Sequence, residues 1–343
     1  MPRKIIDIDA DVEDTYLKNC QTIMSEIINA LHNHDSITIR FAEGPALEEL
    51  NYKEKKFLQI LKEICQDNNW PLEKIHFESP NKVPDRSAWP SISITDFTLG
   101  SFPAAQQQQH APLKKINKTF GMFIGRSSWD RLLLASHLAT NYKDITLQTY
   151  RNYLDIPASM LNLDLDRLFW QTSNAGTLDK KLINSIMNFV SELPLLLDDK
   201  HKNITHIQFG SGAVEEEIMS WYNNIFVDVV CEKMITGQVF FPTEKTARPL
   251  ATKTPFLIMA APNYIKNLRR LGFKSFSQFW NEGYDYQQGI QRIESIKNII
   301  DSLARLPINE LQSMYEEMEP ILEHNHRTYM ELTQSKVRSV FSE

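Results

Sequence analysis

Residues 240–276 read FFPTEKTARPLATKTPFLIMAAPNYIKNLRRLGFKSF, an apolar run, Pro255–Ala261, set inside a cluster of cations. Seven basic residues, Lys245, Arg248, Lys253, Lys266, Arg269, Arg270 and Lys274, share the stretch with one acid, Glu244. The whole chain has a formal net charge of −6, so this excess is local. A hydrophobic strand flanked by cations is an arrangement with which an α/β protein holds a phosphorylated small molecule at the end of its sheet.

Working outward from that stretch, apolar periodicity gives alternating strands and helices. Residues 12–34 predict a helix, Ser36–Phe41 a strand, 45–68 a second helix, and Lys74–Glu78 and Ser91–Phe97 two more strands. Residues 99–115 carry four consecutive glutamines beside Pro, Gly and Ala, which reads as an interdomain linker or a long surface loop. Beyond it, Phe120–Ile124, Ile145–Thr149, Ile204–Phe209, Phe226–Cys231 and Pro255–Ala260 predict strands. A helix is expected from Ser127 to about Thr140, and residues 150–204 read as mostly helical. From Tyr286 onward the pattern is helical, with Arg292, Ile293, Ile296, Ile299, Ile300 and Leu303 on one face. The expectation is therefore an α/β protein with two Rossmann-like domains facing a cleft and a helical C-terminal tail. Its divisions are 1–110, 111–285 and 286–343, the tail being placed to pack back on the N-terminal domain or to join two copies. Ligands in such a fold bind beyond the carboxyl ends of the strands, where Glu43–Pro45, Gly125–Ser128 and Glu232–Lys245 would lie.

The 343 residues suffice for about two domains, and 42% apolar with 23% charged is an ordinary soluble balance. A pI near 5.9 argues against nucleic acid as the main partner. Cys20, Cys65 and Cys231 are three in number and far apart, so they read as reduced thiols without metal-ligand spacing. The N-terminus, MPRKIIDIDADVED, has no apolar core for a secretory signal, and no stretch is apolar enough to span a membrane. A cytoplasmic protein is expected.

Several short patterns carry chemistry. Thr243 is a good helix N-cap, and a helix N-terminus offers free N–H groups to a diphosphate. Lys245 adds a full charge there, and Glu244 suits two ribose hydroxyls; Pro249 then stands inside the helix. The same residues also fit an ordinary capped surface helix. Gly125-Arg126-Ser127-Ser128 ends a strand and puts an arginine, a bidentate phosphate ligand, at the head of the next helix, although a surface arginine at a βα turn reads equally well. Glu43 follows a strand just before Gly44-Pro45, a place for a general base or for a solvated turn acid. Glu232 ends another strand and can bind a hydroxyl or simply mark the strand end. Gly210-Ser211-Gly212 lacks the rest of a dinucleotide fingerprint. Asp9-Ala10-Asp11 and Asp164-Leu165-Asp166 spell D-x-D, and residues 32–34 and 324–326 spell HNH, all in weak contexts. No metal and no cofactor are expected.

Thr243-Glu244-Lys245-Thr246, Arg248-Pro249-Leu250, Thr254-Pro255-Phe256-Leu257-Ile258, Leu271-Gly272-Phe273-Lys274-Ser275-Phe276 and Glu282-x-Tyr284-Asp285 together resemble a signature of bacterial and viral glycosyltransferase-like proteins. Its T-E-K part is shared with α1,3-fucosyltransferases and, more loosely, exostosin-like enzymes. Phe123–Arg131 is similar to the same set's F-x-x-G-R-x-x-x-x-R element, and Ile37–Gly44 with Ile75–Asn81 to its N-terminal half. Asn281 and Gly283 depart from a pattern that prefers Asp and Ser. The resemblance implies an inverting, metal-independent GT-B glycosyltransferase of hexosyl or fucosyl type. The nucleotide sugar is then the donor, and a glycan, protein or lipid-linked hydroxyl the acceptor. It implies that Thr243, Glu244, Lys245, Arg248 and Arg126 bind the donor, and that Glu43 and Glu232 are the catalytic carboxylates. A non-catalytic nucleotide-sugar-binding protein and a metal-dependent D-x-D transferase are the alternatives.

Overall fold

The computed structural model describes residues 4–8, 24–41, 51–52, 55–79, 92–94, 114–151, 158–198, 218, 220–233, 235, 240 and 242–333. It is a mixed α/β structure with two four-stranded parallel sheets, each with its own hydrophobic core.

The first sheet has the order β1 (Lys4–Ile8), β2 (Ile37–Phe41), β5 (Ile75–Ser79), β6 (Ile92–Ile94), all parallel. Three of these strands follow the sequence expectation. β1 does not: its Lys-Ile-Ile-Asp-Ile run is β-branched but was masked by the acids that follow it. Helix α1 (24–33) turns Met24, Ile27 and Leu31 inward, the i, i+3, i+7 spacing of one helical face. Helix α2 is Phe57–Asp67, shorter than expected, because β3 (Asn51–Tyr52) and β4 (Lys55–Lys56) form an antiparallel hairpin ahead of it.

The second sheet has the order β10 (Phe256–Met259), β9 (Ile225–Cys231), β7 (Lys118–Ile124), β8 (Thr146–Tyr150), again all parallel. β9 is buried at every position and β7 at all but the first. Continuous apolar strands of this kind belong to a parallel sheet covered on both faces. A Cβ on Gly121 in β7 would lie 2.3 Å from Ile225 Cδ1, so a larger residue there would have to turn that side chain aside. The chain leaves β7 to one side for β8 and returns on its other side for β9 and β10. The order therefore reverses between β7 and β9, and folds of this kind bind ligands beyond the carboxyl ends of the strands at such a point.

Helix α3 (Trp129–Tyr142) follows β7, while α4 (Ala158–Asn174) and α5 (Lys180–Ser191) precede the strand β9. Helix α6 (Glu244–Ala251) enters β10, α7 (Tyr264–Arg270) leaves it, and α8 (Gly289–Leu303) and α9 (Ile308–Thr333) form the tail. All six residues of the expected α8 face are buried, Arg292 included. The Arg292 guanidinium donates to the carbonyls of Ile258, Ala261 and Asp285 at 3.2–3.4 Å, and so fixes α8 to the end of β10. Leu311, Met318, Leu322 and Tyr329 of α9 join the same core. Asn325 brackets Lys274, its Oδ1 accepting from the backbone N–H at 2.7 Å and its Nδ2 donating to the carbonyl at 2.9 Å. His324 and His326 each bond a backbone carbonyl, of Gly272 and Leu250, so this HNH run staples a helix. Among the described residues no helix is long and apolar enough to cross a membrane.

Candidate functional site

Two turns flank the switch point between β7 and β9. The first, Gly125–Ser128, leads from β7 into α3. The second starts at Glu232, directly after β9, and resumes at Thr243, the N-cap of α6. One buried side chain ties them. Arg131, in the first turn of α3, donates from Nη1 to the Arg126 carbonyl at 2.9 Å, and from Nη2 to the Glu232 carbonyl at 2.9 Å and the Cys231 carbonyl at 3.3 Å. A planar guanidinium with a fixed fork of donors suits this task, where a lysine would satisfy one side only. The backbone of Arg126 and the end of β9 are thus held against one group.

Glu232 is 1% exposed and holds the second turn from inside. Its Oε1 accepts from the Thr243 N–H at 3.0 Å, the Thr246 hydroxyl at 2.5 Å and the Tyr264 hydroxyl at 3.2 Å; its Oε2 accepts from the Thr243 hydroxyl at 2.6 Å. Charge-assisted bonds of these lengths are among the stronger ones a protein makes. They hold the first turn of α6 against the end of β9. Thr243 Oγ1 also accepts from the Lys245 N–H at 3.3 Å, the N-cap bond its residue type suggested.

Lys245 and Glu244 stand beside this cap, half-buried. Lys245 Nζ bonds Glu244 Oε1 at 2.7 Å and Thr243 Oγ1 at 3.3 Å. Burial by itself would raise the Glu244 pKa; the nearby charges of Lys245 and then Arg248, with the Lys245 hydrogen bond, outweigh it and hold the carboxyl at about 2. Arg248, by contrast, is buried, and its charge also acts on Asp228.

The basic cluster as a whole does not converge. Lys253 pairs with Glu323 of α9. Lys266, Arg269, Arg270 and Lys274 are exposed, and the two arginines fill the last turn of α7, where cations complement a helix C-terminus. Of the expected donor residues, Thr243, Glu244, Lys245 and Arg248 lie together on α6 and its cap, and Arg126 lies on the other turn, where its carbonyl accepts from Arg131. Glu43, Asp9-Ala10-Asp11 and Gly210-Ser211-Gly212 lie outside the described residues. Asp164 and Asp166 sit on α4, where two residues are about 200° apart around the axis. Among the described residues no group of three His, Cys, Asp or Glu is placed to hold a metal.

The sequence reading gave no role to three features. Arg131 was visible only as the last letter of a G-R-x-x-x-x-R run. Thr246 and Tyr264 were visible only as parts of the apolar–basic stretch, and their hydroxyls also bond each other at 2.9 Å. Asp228 had a clear signal, an acid in the middle of the strand Ile-Phe-Val-Asp-Val-Val-Cys. It accepts from the Tyr222 hydroxyl at 2.6 Å, and burial pushes its pKa up to about 7. Lys114 lies in the same buried group, with Nζ donating to Thr254 Oγ1 at 2.7 Å, and burial drives its pKa well down.

No family model matches the chain, and no curated protein matches it in sequence. Among solved structures, a glycosyltransferase from Rickettsia africae ESF-5 aligns over 98% of this chain and 100% of its own, at 10% identity and a TM-score of 0.32. A score that low does not establish a common fold.

Proposed function

We propose that the chain is a glycosyltransferase that takes a nucleotide sugar in the crevice between β7 and β9. One observation supports the reading: Arg131 bonds the backbone of Arg126 and of Glu232, and the Glu232 side chain bonds the Thr243 cap beside Lys245, so the turns that carry the two cations are tied at the point where strand order reverses. A departing diphosphate needs fixed positive charge and little else from the protein. Lys245 and Arg126 supply it in this assignment without a metal. Glu244, ionised across the working pH range, takes ribose hydroxyls, and Arg248 supports it from the interior.

Glu232 becomes a positioning group, because both of its oxygens are already bonded by the α6 turn. The base that activates the acceptor hydroxyl is then Glu43, supplied by the first lobe. With base and leaving group on opposite faces of the sugar, displacement inverts the anomeric carbon. The reading includes a two-domain GT-B arrangement divided at residues 1–110 and 111–285 with the tail at 286–343, and an acceptor that is a glycan, a protein or a lipid-linked sugar. The second reading is a nucleotide-sugar-binding protein without turnover, in which Glu232 serves only to hold the α6 turn.

The test is turnover of a UDP-, GDP- and CMP-sugar panel, by hydrolysis or transfer. Lys245→Ala and Arg126→Ala should each lose about 10²–10³ in rate, the scale of a leaving-group donor, with activity indifferent to EDTA. Wild-type rates in both variants sink the assignment. Binding by calorimetry without product selects the second reading.

A further inference from the structure

A second cleft, of about 430 Å³, opens between the 3₁₀ turn at Glu282–Tyr286 and helix α8. It shares no residue with the Arg131–Glu232 site and falls in the usual size range of small-molecule sites. Three aromatic residues, Phe279, Trp280 and Tyr284, form part of its wall. The polar lining consists of Asn281, Gln287, Ser295, Asn298 and Ser302, and the lining contains no charged side chain.

The amides are set to donate. Asn281 Oδ1 accepts from the Gly283 N–H at 2.8 Å, and Gln287 Oε1 accepts from the Ser295 hydroxyl at 2.6 Å. Each bond fixes an amide by its oxygen and leaves the NH₂ without a partner among the described residues. The Asn298 side chain, exposed on α8, has no partner there either. Trp280 is 8% exposed, and its indole N–H is buried with no acceptor. That donor has no accessible surface, so it belongs to the interior of the wall and not to the groups that face a ligand. Neutral donors and acceptors beside aromatic rings match a ligand with many hydroxyls, apolar ring faces and no charge. A phosphorylated ligand would find no counter-charge here.

We infer that this cleft binds an uncharged sugar, roughly a disaccharide unit of a glycan, through Asn281, Gln287 and Asn298 beside the half-exposed Phe279 ring. The inference stands apart from the transferase reading, because it requires recognition alone. Saturation-transfer NMR on the full chain with maltose, cellobiose and chitobiose at millimolar concentration tests it. Transfer to ring protons of at least one of them is expected, with affinity reduced about tenfold or more in Asn298→Leu and abolished in Ser302→Trp, which fills the cleft from an exposed helix position. Nucleotide-sugar binding should persist in Asn298→Leu, and disaccharide binding in Lys245→Ala, so the two sites fail separately. No transfer from any of the three sugars, or transfer undiminished in both α8 variants, overturns the inference.

Discussion

Replacing Arg131 gives the most direct test of how the crevice is built. The guanidinium makes two bonds of ordinary length, to the Arg126 and Glu232 carbonyls, and a weaker one at 3.3 Å to Cys231. Hydrogen bonds from a charged donor contribute about 1.5–3 kcal/mol each, so Arg131→Met should cost about 3–6 kcal/mol. Asp130 adds to the loss in the same direction. It is 2% exposed, burial raises its pKa, and the Arg131 charge is the main influence opposing that rise. At a urea slope of about 2 kcal/mol/M, the midpoint should fall by about 1.5–3 M. Arg131→Lys keeps the charge and reaches one turn only, so it should lose roughly half as much stability. It should nevertheless lose most of its nucleotide-sugar affinity, because the two turns are no longer tied. Urea denaturation and calorimetry on the same protein preparations read both quantities. A midpoint within about 0.3 M of wild type in Arg131→Met, with unchanged nucleotide affinity, would refute the idea that this side chain assembles the site.

Asp228 gives a pH test. Its native carboxyl, raised to about 7 by burial, keeps a proton that the unfolded chain has released, so stability falls as pH rises from about 4 to about 7. Asp228→Asn should flatten that slope in urea midpoints measured at pH 5 and pH 7; an equal drop in both proteins contradicts the account. Gly121→Ala places a methyl group against Ile225 and Phe123 and should cost about 1–3 kcal/mol by thermal melting, whereas a neutral result would mean that β7 and β9 part easily. Glu244→Gln releases Lys245 Nζ from its 2.7 Å contact. Calorimetry should then show tighter binding of inorganic pyrophosphate and weaker binding of the nucleotide sugar, and loss of both would mean that Glu244 only props the lysine in place.

The fold was legible wherever burial is two-sided. β7 and β9 read as strands because all positions but Lys118 and Thr119 in the one and Asp228 in the other are apolar, and the α8 face read correctly because Ile293, Ile296 and Ile300 repeat at the helical period. The hairpin at 51–56 was not legible. It is two residues on each side, too short for a period to show, and it lies in a window whose helical signal belongs to 57–67. At the site, residue type gave the N-cap and the cations of α6. It did not give Arg131, because a guanidinium bonding backbone carbonyls leaves no pattern in the side chains around it. Nor did it show that the seven cations separate. Pro255–Ala261 carries the chain through the sheet as β10, so Lys245 and Arg269 are close in sequence and stand on helices at either end of a strand.

The phosphate site proposed above, in a chain of net charge −6, requires that nearby acids be turned away from it. Two carboxylates at the carboxyl edge of the second sheet show how this is done. Glu232 bonds the Thr243 N–H and the hydroxyls at the start of α6, and Asp285 accepts from the Ile265 and Lys266 N–H groups at the start of α7, at 3.0 and 3.1 Å. Both use the free donors of a helix first turn, where negative charge is favoured. Asp285 is held in turn by Arg292 of α8, so the tail helix secures the α7 turn through a buried ion pair. The acids thereby spend their charge inside the lobe, on the backbone that positions the site. Lys245 is left on the outer side of the α6 cap with Glu244 as its partner, a contact between half-exposed groups that a multiply charged phosphate can displace. Sequence charge counts treat these carboxylates as neutralising the basic stretch; their hydrogen bonds show them supporting it.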